Sequence, residues 1–507
     1  MHVALIEPPK FYSPTNQTST IVIPPLGPAY VAASLEAAGH RVSAVDAIAG
    51  GIDRFRPFRG IYLRGLSPEE ICERVPADSE LIAVGCMFSA GWLAVRELVR
   101  ALRERLPGVP IVLGGEHATA LPELSLEQAP VDYVVLGEGE ATMVDLVGRL
   151  ARGEPAEDTP GTRVRQRDGS TRANPRRPRI LDVDALPLPA WHLYDVERYI
   201  EFSQPHGTVR GRFMPMLATR GCPFRCTFCT SPNTWTQRWV ARSPKLVVDE
   251  IELYGRRYGA TDIHFEDLTA IVRKDWIVEF CRELVERKVE ISFQLPSGTR
   301  SEAVDEETAH WLRRAGCHEF TFAPESGDPR VLRAIEKRVS LPRLFQAARF
   351  AMREGIQVSA FFIVGFPEDT HASVWRTLRA IGRCALEGFS GVMLGAYSPQ
   401  PSTASFRRLQ ASGRIREIDD EYLLDLFRFE DLGSRKTSYS ERLSSRAVTV
   451  YVWLGFAIFY ALFFAARPWR LAIFVRDLFQ RSKSNKSARA ASNLLRDRLA
   501  LRRSGSR

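Results

Sequence analysis

Two runs of alternating strand and helix, with a cysteine-rich loop at the start of the second, predict an α/β protein. A doubly wound, Rossmann-like parallel sheet comes first, then a partial (β/α)6 barrel of the TIM type, then a helical C-terminal tail. In the first run, apolar stretches of strand length near residues 2–7, 41–46, 80–86, 109–113 and 132–136 are separated by helix-period stretches near 27–38, 93–105, 120–128 and 140–151. Continuous apolar strands joined through helices mark a parallel sheet buried on both faces. The second run places strands near 214–219, 262–266, 290–295, 319–324, 358–364 and 391–397, with helices such as 244–258 and 274–287 between them. Both architectures bind ligands at the carboxyl ends of their strands, so the functional residues are sought there.

The expected divisions are a first domain over 1–152, a linker over 153–206, the barrel over 207–401, a helical extension over 402–446, and an apolar helix with a basic tail over 447–507. The linker is rich in Pro, Arg and Asp, with a small hairpin at Asp168-Gly169. At 507 residues the chain is long enough for two or three cores. Its net charge of +9 is local, because 467–507 alone sums to +10 and leaves 1–466 at −1. No basic groove for nucleic acid is therefore expected on the folded part. Outside one triplet the eight cysteines stand singly in apolar segments, as buried thiols of a reducing compartment do. The first ten residues lack the basic start and apolar core of a signal peptide, so export is not expected and a cytoplasmic location is.

The triplet is Cys222-Pro223-Phe224-Arg225-Cys226-Thr227-Phe228-Cys229, spaced C-x3-C-x2-C after an apolar strand. Three thiolates so close in sequence suit a 4Fe-4S cluster with one iron left for another ligand. A closed zinc site would want a fourth ligand, and Cys281 and His264 lie too far along for a compact second half. In the first domain the strand ends carry Met87-Phe88-Ser89, Gly114-Gly115-Glu116-His117 and Gly137-Glu138-Gly139-Glu140. Glycines there let backbone approach a large flat ligand, and helix N-termini offer unpaired N–H groups to it. They also serve tight turns, and composition alone leaves that choice open.

With Phe228 before its last cysteine, the triplet resembles that of the radical S-adenosylmethionine enzymes, and residues 1 to about 401 are similar to the subgroup with an N-terminal cobalamin-binding domain. The resemblance implies that Cys222, Cys226 and Cys229 hold the cluster and that the free iron binds S-adenosyl-L-methionine, cleaving it to a 5′-deoxyadenosyl radical. By the same resemblance Gly114, Gly115, Glu116, His117, Gly137, Glu138 and Gly139 line cobalamin, while Phe228, Glu266, Asp267, Arg300, Glu325, Ser326 and Gly365 lie around the S-adenosyl-L-methionine. Glu266 or Asp267 would hold the ammonium group and Arg300 the carboxylate. Glu325-Ser326-Gly327 would stand near the ribose, and Gly365 in Val364-Gly365-Phe366-Pro367 would admit the adenine. Lys337 stands where the family has a lysine before a glycine, although Arg338 replaces that glycine. The D-x-H-x-x-G cobalamin motif is absent from the first domain, so a lower-face histidine on cobalt is not expected, from His117 or otherwise.

What the resemblance implies for function is a cobalamin-dependent methyltransferase placing a methyl group on an unactivated carbon of a small molecule, hydrophobic ones included. Methylcobalamin would supply the methyl group, and a flavodoxin or ferredoxin the electrons. A cyclisation, rearrangement or oxidation with the same cofactors is the alternative. A non-catalytic cobalamin sensor or membrane adaptor is a third reading, against which the intact triplet argues. Finally, 447–466 is a run of 20 uncharged residues, long enough to cross a bilayer. A single crossing would put the basic tail outside, against the positive-inside rule, so peripheral contact of 447–507 with the inner face is expected. A helix packed on the barrel is the rival.

Overall fold

The computed structural model of the chain describes residues 1–16, 18–166, 168–479 and 486–504. Its strands in chain order begin with β1 (His2–Glu7), β2 (Lys10–Tyr12), β3 (Arg41–Asp46), β4 (Phe55–Phe58), β5 (Ile61–Arg64), β6 (Leu81–Gly85), β7 (Ile111–Gly114), β8 (Tyr133–Val135), β9 (Thr162–Arg165) and β10 (Thr171–Ala173). The first sheet has the order β10-β9-β8-β7-β6-β1-β3. Its five expected strands are parallel, in register Ile6 to Val45 and Ile6 to Val84 at the centre. The order reverses between β1 and β6, the switch point outside which such sheets bind ligands. The apolar sequence explains the burial, since Val3, Ala4, Leu81, Ile82, Ile111 and Leu113 have essentially no exposed surface.

Two parts of this domain depart from expectation. The hairpin of the linker is no free connector, because β9 pairs antiparallel with β8 and β10 with β9, extending the sheet. A small antiparallel sheet, β2-β5-β4, stands beside it and was not expected, because each strand is at most four residues and shows no alternation long enough to read.

The second unit comprises β11 (Phe213–Met216), β12 (Thr219–Arg220), β13 (Val240–Ala241), β14 (Asp262–Phe265), β15 (Ser292–Thr299), β16 (Cys317–Glu325), β17 (Gln357–Val364) and β18 (Gly391–Ala396). Six of them form one all-parallel sheet in sequential order, β11-β14-β15-β16-β17-β18, which is the expected partial barrel. Helices Pro244–Tyr258 and Lys274–Glu286 cover it with their apolar stripes inward, burying Val247, Val248, Ile251, Ile277, Phe280 and Leu284.

The extension is only partly helical. Helices Ala404–Ala411 and Asp420–Arg428 are followed by an irregular stretch at 429–443 whose buried Lys436 donates to the Arg428 carbonyl at 2.6 Å. Asp420 ties this part back to the first domain through Arg96 and Arg59, at 3.0 and 2.8 Å. Helix Ser445–Ala466 is 22 residues long and lays Val448, Val452, Gly455, Phe459 and Phe463 on the barrel, leaving Val450 and Trp453 outward. The packed rival is therefore present on one face. The end of the tail also serves the interior: Arg489 donates to the Gly207 and Ser203 carbonyls at 3.0 and 2.9 Å, and Asp497 pairs with Arg64 at 3.2 Å with both side chains fully buried.

Candidate functional site

The three cysteines lie on an excursion of the chain between β12 and β13, which pair antiparallel through Thr219 with Ala241 and Arg220 with Val240 and so close its base. Within it the Cys229 N–H donates to the Cys226 carbonyl at 3.1 Å, and the loop is tied to the barrel through Thr227 N–H to Ile335 O at 3.0 Å and Ser405 N–H to Thr227 O at 2.9 Å. All three thiols are free and half-buried. Burial pushes Cys229 up to about 12 and Cys226 in the same direction, so the protein alone keeps these two as thiols that a metal must deprotonate. No group of three His, Cys, Asp or Glu among the described residues converges on one metal ion. A cubane asks for something else, three thiolates each on its own iron, and three mutually close cysteines on one loop fit that.

Around this loop the barrel strands end with disrupted register. β15 and β16 shift between Leu295 and Thr299, and β16 and β17 between Phe322 and Glu325. Such bulges re-aim the following side chains. Glu325 has φ of 65°, a left-handed conformation that a glutamate rarely adopts, and its carboxylate meets Lys337 Nζ at 2.8 Å with both side chains nearly buried. Ser326 turns away from the loop, accepting from the Asp328 N–H at 3.1 Å and lying 3.3 Å from Thr377 Oγ1. Arg300 lies 3.8 Å over the Phe224 ring of the cysteine loop, and its fork is engaged by Glu302 at 2.8 and 3.1 Å. Phe228 packs edge-on against Phe366 at 5.4 Å.

The acidic pair divides its labour. Asp267 accepts from the Ala218 N–H at 3.2 Å and from Thr219 Oγ1 at 2.6 Å, so it braces the turn into the loop, and burial pushes its carboxyl up to about 6. Glu266 faces His206 at 2.9 Å and keeps its other oxygen buried with no hydrogen-bond partner among the described residues. That orphan is an acceptor waiting for a cation. At Gly365, φ is 89°, and the Cβ of any other residue would stand 3.2 Å from both Val448 methyl groups of the C-terminal helix. The glycine expected to admit adenine thus makes room for that helix.

In the first domain Met87 and Phe88 are 61% and 69% exposed at the end of β6, an apolar pair left for a large ligand to cover. Gly114 has open space where a Cβ would be, and at Gly115, φ 116°, a Cβ would strike the Cys86 carbonyl at 2.4 Å. These features fit a flat macrocycle laid on the strand ends. His117 is fully buried, its ring stacked on Trp92 at 4.8 Å with Nδ1 3.0 Å from Ser89 Oγ and Nε2 without a partner among the described residues, and burial alone lowers it to about 3. Glu116 faces Thr230 and Asn233 of the cysteine loop, and burial pushes it up to about 7. Gly137 lies beside the same loop, with 3.5 Å between the place of its Cβ and the Thr234 carbonyl, and Gly139 packs on Val31. Glu138 and Glu140 are spent on arginines, Glu138 on Arg179 at 2.7 Å and Glu140 on Arg220 at 2.6 Å. Arg179, Arg220 and His206 were not among the expected site residues. No sequence motif marks them, because their partners lie 41 to 82 residues away.

Comparison with known proteins agrees with this geometry. The sequence model of the radical SAM superfamily matches residues 216–381, and that of the B12-binding domain residues 13–147. The chain is 31% identical over 429 residues to the cytidylyl-2-hydroxyethylphosphonate methyltransferase of Streptomyces wedmorensis, covering 78% of this chain and 80% of that one. It is 28% identical over 362 residues to the anaerobic magnesium-protoporphyrin IX monomethyl ester cyclase of Rubrivivax gelatinosus, covering 70% and 61%. Its fold superposes on the radical S-adenosylmethionine methyltransferase TsrM of Kitasatospora setae, solved with cobalamin and a [4Fe-4S] cluster, with a TM-score of 0.69 at 18% identity over 99% of both chains.

Proposed function

Because the chain belongs to the cobalamin-binding radical S-adenosylmethionine enzymes, we propose that it is a cytoplasmic methyltransferase, placing a methyl group on an unactivated carbon of a small, hydrophobic biosynthetic intermediate. The observation that carries this is the packing of the cysteine loop against the glycine loops of the first domain, which sets the sites for cluster and cobalamin side by side. When bound, the cluster and S-adenosyl-L-methionine supply a carbon radical and cobalamin the methyl group, so the substrate carbon needs no nucleophilic character.

The chain's own residues do the positioning. Cys222, Cys226 and Cys229 hold the cluster, leaving one iron for S-adenosyl-L-methionine. Glu266, with its unshared oxygen, accepts from the ammonium group of that ligand, while Asp267 holds the turn on which the loop begins. Lys337 and Glu325 hold each other beside the cysteines, and Phe228 and Phe366 exclude water from that side. Met87 and Phe88 would supply apolar surface to the macrocycle. A small acidic electron carrier of the flavodoxin or ferredoxin kind supplies electrons to the cluster.

The test is product stoichiometry in anaerobically reconstituted enzyme. Each methylated product should appear with one S-adenosylhomocysteine and one 5′-deoxyadenosine. Deoxyadenosine without S-adenosylhomocysteine would transfer the chain to the cyclase type of chemistry represented by its Rubrivivax relative. We also place the outward face of helix Ser445–Ala466, with Val450, Trp453 and the neighbouring Trp375 exposed, against the inner leaflet of the membrane. Full-length protein should sediment with anionic vesicles, and a Trp453→Glu, Val450→Glu variant should not. Equal behaviour of the two removes the membrane from the reading.

A further inference from the structure

Glu138 ends the loop after β8 and Glu140 lies in the first turn of the helix Gly139–Arg152 that follows, at the end of the sheet where the cobalamin site lies, yet both carboxylates are spent within the chain. Glu138 accepts from Arg179 Nε at 2.7 Å and from the Ile180 N–H at 2.9 Å, and meets Arg220 Nη1 at 3.3 Å. Glu140 meets Arg220 Nη2 at 2.6 Å. All four side chains are at most 9% exposed. Two carboxylates and two guanidiniums, each with an opposite partner, make a neutral buried group, and such a group costs most when only one member is removed.

The chain positions of the arginines give this group its meaning. Arg220 ends β12, two residues before Cys222, at the closed base of the cysteine loop. Its guanidinium lies over the rings of Tyr30, in the first domain, and Trp235, in the loop, at 5.0 and 5.6 Å. Arg179 comes from the linker, stands 5.2 Å over the Trp235 ring, and donates to the Trp235 and Arg238 carbonyls on the returning arm of the loop. Both arms of the loop that carries the cysteines are therefore held by the acidic loop of the other domain.

We propose that Glu138, Glu140, Arg179 and Arg220 are positioning residues forming a latch that fixes the cysteine loop against the first domain and so sets the separation between cluster and cobalamin. Glu138 is accordingly removed from the cofactor-binding set. The inference rests on the cofactor assignment above only for the identity of what is separated, since the latch itself belongs to the chain without cofactors.

Two measurements test it apart from that assignment. In cofactor-free protein, amide hydrogen exchange over 221–239 should speed up in Glu138→Gln, Glu140→Gln and in Arg220→Lys, while 2–7 and 81–85 stay protected. Unchanged exchange in both variants would overturn the latch whatever the cofactors do. In reconstituted protein given hydroxocobalamin, the Gln variant should keep full iron and cobalt content, broaden the cob(II)–cluster distance seen by pulsed electron paramagnetic resonance, and release about tenfold more deoxyadenosine per methylated product, as misplacement of reacting groups does. Loss of cobalamin with unaltered loop exchange would show that the carboxylates are cofactor ligands after all.

Discussion

At the amino end of the barrel Asp262 accepts from the Arg210 N–H at 2.8 Å and from Ser292 Oγ at 2.7 Å, and the ring nitrogens of His264 and His318 lie 3.1 Å from its oxygens. Glu319 beside it accepts from the Thr208 N–H at 3.0 Å and its hydroxyl at 2.7 Å, and Arg489 of the tail closes the floor on neighbouring carbonyls. At the carboxyl end of the same strands Glu266 keeps an orphan oxygen and three thiols stand free, and at the strand ends of the first domain Met87 and Phe88 are uncovered. Both ends are rich in ionisable side chains. They differ in what their carboxylates are spent on: at the floor Asp262 and Glu319 take donors of the chain itself, while the rim leaves thiols, a carboxylate oxygen and apolar surface for something not of the chain. A buried cluster of His and Asp is therefore no evidence of catalysis until its bonds have been counted.

Removing one member from each end should break the comparison most sharply. Asp262→Ala leaves the Arg210 N–H and two histidines without an acceptor and should cost about 3–5 kcal/mol in urea unfolding, with any folded fraction retaining normal cluster content. If instead it folds with wild-type stability and stops cleaving S-adenosyl-L-methionine, the floor is part of the chemistry. Within the rim, Glu266→Gln should weaken S-adenosyl-L-methionine binding about tenfold or more and leave the melting temperature alone, as loss of a charged hydrogen bond to ligand does. Asp267→Ala should do the reverse, destabilising by about 1–3 kcal/mol through the unpaired Ala218 and Thr219 groups. Calorimetric titration and thermal melts distinguish them, and equal effects of the two would erase the division of labour.

The smallest effect is expected inside the first domain, where His117 is buried and stacked as the floor is but leaves Nε2 without a partner among the described residues. Its neutral form is the one the fold holds, so below its ordinary value near 6.5 the unfolded chain takes up a proton that the native chain refuses, and stability falls as pH falls, down to about 3. Between pH 6.5 and 5 that loss should be about 2 kcal/mol, and His117→Phe, which keeps the stack on Trp92, should remove it. The cob(II) spectrum should not change in that variant. A nitrogen signal lost with His117 would return it to the rim.

The sequence by itself determined what is local. The cysteine spacing, the apolar strands and the Gly and Glu runs at their ends each lie within one short stretch, and periodicity or ligand count reads them directly; helix Pro244–Tyr258 falls where its pattern says. Which of Glu266 and Asp267 is spent, that Gly365 yields to Val448, that Glu138 grips Arg179 and Arg220, and that Asp497 reaches Arg64 were decided only by tertiary structure. The reason is physical. A carboxylate's role depends on whether its lone pairs are already taken, and the donors that take them come from strands and loops far along the chain, where neither spacing nor hydropathy carries their position.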